Sequence, residues 1–107
     1  MDLNLLDFSI KVAACVCGKD GVISKSEENE IFRIVNSINE SFCKDRFERI
    51  INEYFDESHH IEYYLSKIIN YELKKFTIDL CRKSASIDGL EIKENIALDK
   101  VVLILDV

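Results

Sequence analysis

Apolar residues recur along this chain at intervals of three and four, the spacing of a helix with one buried face. In residues 3 to 17, Leu3, Leu6, Ile10, Ala13 and Cys17 make one stripe, with Phe8, Val12 and Val16 beside it. Asp7 and Lys11 are the only charges in the middle of that segment, which predicts a central, mostly buried helix. "KDGVIS" interrupts the pattern. Ser24 or Ser26 then stands where a cap belongs for a second helix. Glu27 and Glu28 fall in its first turn, where the helix dipole favours negative charge. Its apolar face is Ile31, Ile34, Val35 and Ile38.

Past the polar break "NSINES", a third helix is predicted at about 43 to 55, with Phe47, Ile50, Ile51, Tyr54 and Phe55 on one face. "DESHH" reads as a turn with Ser58 as a cap. A fourth helix, at about 59 to 70, shows Ile61, Tyr64, Leu65, Ile68 and Ile69. The fifth, about 72 to 86, carries Leu73, Phe76, Leu80 and Ser84 beside Ile78, Cys81 and Ala85. "SIDGLE" ends it. The sixth, about 92 to 105, uses Leu98, Val101, Val102 and Leu105. "KVVLILDV" is β-branched, but its spacing continues the helix, and no segment alternates as a strand would. The expectation is an all-α single domain over residues 1 to 107, a compact bundle of about six helices.

Part of the chain repeats. Placing Asp20 on Asp88 and Gly21 on Gly89 also puts Phe8 on Phe76, Ile10 on Ile78, Val12 on Leu80 and Ala13 on Cys81. Allowing a one-residue deletion, Glu28-Asn29 matches Glu94-Asn95, and Ile31, Ile34, Val35 and Ile38 match Leu98, Val101, Val102 and Leu105. Each copy is then helix, Asp-Gly turn, helix. Two copies are too few for a solenoid. They are expected to pack face to face, with the middle helices covering the side.

The 107 residues allow one modest core, and 48% hydrophobic content is enough to fill it. Proline is absent and glycine occurs three times, which argues against linkers and disordered tails. The net charge of −6 disfavours nucleic acid and anionic membranes as partners. No apolar run is long enough to cross a bilayer, and "MDLNLLDFSIK" lacks the basic start of a signal peptide. A cytosolic location with reduced cysteines is expected. Cys15 and Cys17 read as small core residues, because the spacing of a zinc site is missing.

The repeated turns carry the candidate chemistry. Against a calcium-binding EF-hand loop, Asp20 takes position five, Gly21 six, Ile23 eight and Glu27 twelve. The first half of the loop does not fit, because Val16 and Gly18 stand where oxygen ligands belong. The second copy fits less well, with Ser84, Ser86, Asp88, Gly89 and Asn95 at the corresponding positions. A different cation site is open if the halves face each other. Asp20, Glu27 and Glu28 would then approach Asp88, Glu91 and Glu94, and oxygen ligands alone would suit calcium or magnesium. The purely structural alternative is that aspartate supports the turn, glycine supplies positive φ, and the glutamates favour the next helix N-terminus.

"ACVCGKDGVISKSEENEIFRIV" and "CRKSASIDGLEIKENIALDKVVLIL" together resemble the two halves of the TerB-like family, small helical modules named after tellurite-resistance proteins. The family pattern is a small-residue helix, Ala-Asp-Gly, a variable stretch and a glutamate opening the next helix, twice over. Asp20-Gly21 with Glu27 and Glu28, and Asp88-Gly89 with Glu94, fit that pattern over nearly the whole chain. Lys19 and Ile87 stand where the small residue before aspartate is usual. The resemblance implies a helical bundle without established enzymatic activity, in bacterial tellurite, chemical-stress or phage-defence systems. It also implies partners among the proteins of such complexes, some of them linked to the inner membrane. The acidic clusters, here Asp20, Glu27, Glu28, Asp88, Glu91 and Glu94, are the divalent-cation candidates it implies.

Other features point elsewhere. His59-His60 beside Asp56 and Glu57 reads as a solvated turn. No nucleophile constellation or glycine-rich phosphate loop exists, so an enzyme is not expected. The residual enzymatic version is metal-dependent hydrolysis at Asp20 and Asp88. Lys74, Lys75, Arg82 and Lys83 share one helix, as a solvated face or as a docking surface for an acidic partner or a dimer mate. The apolar density of residues 96 to 105 permits a homodimer through the last helix. The functional expectation is a non-enzymatic adaptor or sensor that binds a divalent cation. A ligand-free interaction scaffold is the alternative.

Overall fold

A computed structural model describes residues 2–18, 23–57, 59–89 and 92–106. They form six helices: α1 (Leu3–Cys17), α2 (Lys25–Ile38), α3 (Lys44–Asp56), α4 (Ile61–Leu65), α5 (Tyr71–Ala85) and α6 (Ile92–Leu105). No strand occurs among the described residues. Among them, no helix is long and apolar enough to cross a membrane.

Local chemistry sets the helix ends. Asp2 caps α1 by accepting from Asn4 N at 2.7 Å, and Asn70 caps α5 by accepting from Leu73 N at 3.2 Å. The residues of "KVVLILDV" continue α6 through Leu105, as their spacing predicts. The fourth helix departs from expectation. It stops at Leu65 because the chain tightens there: Lys67 N bonds Tyr64 O and Ile68 N bonds Leu65 O, each at 3.1 Å. This turn carries Ile68 into the core and leaves Ile69 81% exposed. The proposed Ser58 cap lies outside the described residues.

α1 is the central element. Ile10 and every residue from Val12 to Val16 are buried, because other helices surround it. Its most extensive packing is against α5, where Ser9 Oγ meets Thr77 Oγ1 at 2.7 Å. These residues are 68 apart, which is also the separation of the paired Asp-Gly turns, so equivalent positions of the two copies touch. The second helix of each half packs on the first helix of the other: α2 lies on α5, and α6 on α1. That exchange is what a twofold relation between the halves requires. α3 and α4 then cover the side of α1.

The cover is partly polar. Arg46 of α3 forks onto Asp7, with Nη2 to Oδ2 at 2.7 Å and Nε to Oδ1 at 3.1 Å. Phe42, in the connection before α3, is fully buried, and its carbonyl accepts from Asn36 Nδ2 at 3.0 Å. The expected apolar faces hold except at their ends, where Ile38 and Phe55 are exposed.

Candidate functional site

The candidate acidic residues gather, in part, at the end of α1 and α5 where both helices stop. Ser24 is the N-cap of α2. Its Oγ accepts from Glu27 N at 3.1 Å, and its N–H donates to Glu27 Oε1 at 2.8 Å, a capping box. The Ser24 hydroxyl proton goes to Asp88 Oδ2, in the turn after α5. One serine therefore ties the first half's second helix to the second half's turn.

Glu27 and Glu94 are both buried, at 4% and 2% exposure. Each is the third residue of its helix, α2 starting at Lys25 and α6 at Ile92. They are the structural equivalents, whereas the matched Glu-Asn dipeptides pair Glu28 with Glu94. Glu28 lies one residue round the helix from Glu27. It is half-buried and lines a depression with Lys44 and Glu48 of α3. Asp20 and Glu91 lie outside the described residues.

Between the halves stands Cys17, fully buried at the end of α1. Its thiol donates to Ser84 Oγ at 3.6 Å, and Ser84 passes its own proton to Leu80 O at 2.7 Å. Burial pushes the Cys17 thiol up to about 12. The Ser84 contact opposes that shift, and the Glu27 and Glu94 carboxylates reinforce it. A thiol so placed is a packed, protonated group rather than a nucleophile. Val16, at the first EF-hand position, is fully buried within α1 and offers no ligand.

The second turn has the backbone its glycine suggests. Gly89 has φ +88°, and its N–H closes onto Ser86 O at 3.1 Å. Among the described residues, no three His, Cys, Asp or Glu side chains are grouped so as to hold a metal ion. The oxygen groups placed at this end are Glu27, Glu94, Asp88, Ser24 and Ser84, a set suited to a hard cation rather than to zinc.

A second polar cluster escaped the sequence reading. Lys11 is buried in α1. It reaches Glu57 at 2.8 Å and Glu53 at 3.4 Å, and Tyr64 OH donates to Glu57 Oε2 at 2.5 Å. Burial of Glu57 opposes its ionisation, but the Lys11 and Tyr64 hydrogen bonds and the Lys11 charge outweigh it and hold the carboxyl below its ordinary range. The signal was a lone lysine inside an apolar helix, whose charge has to be met by a partner once it is buried. His59 and His60 are exposed, and His59 stacks on Tyr63 with ring centroids 3.9 Å apart.

Compared with known proteins, the chain matches no family model, no curated protein and no solved structure.

Proposed function

We propose that the chain is a non-enzymatic adaptor and sensor of the TerB-like kind, working in a bacterial stress or defence complex and taking up a divalent cation at its acidic end. The observation that carries this reading is the Ser24 to Asp88 hydrogen bond, with Glu27 and Glu94 buried beside Cys17 at the same end. A cation held there would draw on both halves of the repeat, so its binding would tighten α2 against α5. Calcium or magnesium fits the all-oxygen donors.

A ligand-free interaction scaffold is the competing reading. It is favoured by the partners that Glu27 and Asp88 already have inside the fold. Thermal unfolding of EDTA-stripped protein, with calcium, magnesium, manganese and zinc added in turn, separates the two. Saturation at 100 times the dissociation constant stabilises by about 2.7 kcal/mol, a rise on the order of 10 °C for a domain of this size. The sensor reading expects that rise with calcium or magnesium, and its loss in Asp20→Asn and Asp88→Asn. No rise with any ion leaves the scaffold.

A further inference from the structure

The outer face of α5 is an open groove of about 560 Å³. Tyr71, Phe76 and Ile78 line it from α5, with Ile38 of α2 and Val102 of α6 on either side. Tyr71 is 61% exposed and Ile38 46%. Two exposed apolar side chains thus flank a groove whose rim is charged.

The twofold relation between the halves gives the groove a counterpart. The matching face of α1 is covered by α3 and the residue that ends it: Asp7 pairs with Arg46, and Lys11 with Glu57 and Glu53. In the repeat, Lys75 stands where Asp7 does, and Asp79 where Lys11 does. The α5 face thus has charges at the same positions with opposite signs, and those charges are exposed.

We propose that a second copy of this chain covers the α5 groove, with the two α5 helices antiparallel about a twofold axis. The charge order along the groove is Glu72, Lys75, Asp79, Arg82, which is complementary to its own reverse. With the axis at the level of Thr77, Glu72 comes level with the partner's Arg82 and Lys75 with the partner's Asp79, all four on the exposed stripe of α5. Each pair occurs twice, as an isologous interface demands, along about 15 Å of helix. Sliding one helix by three residues would set Lys75 against Arg82, and slides that leave attractive pairs keep only half of them, so the charges favour the register centred on Thr77. Asp79 also holds Lys83 of its own helix at 2.9 Å, and Lys75 lies over its own Tyr71 ring, which orients both side chains on this face. None of the residues lining this groove is among the proposed cation ligands.

The test is sedimentation or light scattering over a range of concentrations. The wild-type chain is expected at twice its 12.4 kDa mass. Lys75→Glu and Asp79→Lys each replace two attractive contacts with repulsive ones and should weaken the dimer by roughly tenfold or more. The double variant Lys75→Glu/Asp79→Lys restores all the pairs and should recover the dimer. Both positions are exposed, and far-UV circular dichroism confirms that each variant is folded. A wild-type monomer at every concentration overturns the proposal. A dimer indifferent to both single swaps also overturns it, and moves the contact to another surface such as the exposed Ile92, Ile96 and Leu103 stripe of α6.

Discussion

Ser9 and Thr77 hydrogen-bond to each other at the crossing of α1 and α5, and they are the same position in the two copies of the repeat. Thr77 already gives its proton to Leu73 O at 2.7 Å, so Ser9 is the donor and Thr77 the acceptor. Both side chains are fully buried. Thr77→Val leaves the Ser9 hydroxyl without its acceptor and should cost about 1–3 kcal/mol in urea unfolding. The double variant Ser9→Ala/Thr77→Val removes both groups and should cost less than the two single changes added together. Strict additivity would mean that the contact does not join the halves.

Gly89 isolates a backbone effect. Its φ is +88°, and a Cβ built there meets nothing within 4 Å. Gly89→Ala should therefore destabilise by about 1 kcal/mol through conformation alone, read as a lower midpoint with an unchanged denaturant slope.

The four cysteines differ in reach. Cys43 is exposed, while Cys15, Cys17 and Cys81 are buried, and burial raises the Cys17 and Cys81 thiols. A thiol reagent at pH 8 should modify one cysteine rapidly in the native protein, and Cys43→Ser should abolish that phase. Fast reaction at Cys17 would contradict its place between the halves.

Acid stability should depend on Lys11. The native Glu57 carboxyl titrates below its ordinary 4.5, so as pH falls the unfolded chain takes up that proton first. The stabilisation is complete above the ordinary value and is lost as pH drops through the folded one. Lys11→Met should lower stability at pH 7 by roughly 1–3 kcal/mol, less than a fully buried pair because Glu57 keeps partial exposure, and should flatten the acid limb. An unchanged acid limb would remove Lys11 as its cause.

The all-helical architecture was legible because it rests on one signal, apolar spacing, repeated through each long helix. The face-to-face repeat was legible because Asp-Gly and Phe-x-Ile recur together. The short α4 was not, since Ile68 and Ile69 fit a helical stripe as well as they fit the turn that buries one and exposes the other. Phe42 was overlooked because it lies in a polar connection, where periodicity says nothing. The shift from Glu28 to Glu27 has the same root. The two side chains are adjacent in sequence, and only the capping register and the burial of Glu27 tell them apart. Lys11 was visible as an odd charge, but its carboxylates come from α3 and the residue after it, which no local pattern connects to α1.

Amide NMR of the metal-free protein during a magnesium or calcium titration tests most directly whether a cation binds where the halves meet. The proposal predicts saturable shifts at Ser24, Glu27, Asp88, Gly89 and Glu94, with residues of α3 unmoved. Spectra that stay unchanged through millimolar cation, or that move only at exposed acids such as Asp45 and Glu48, would contradict it.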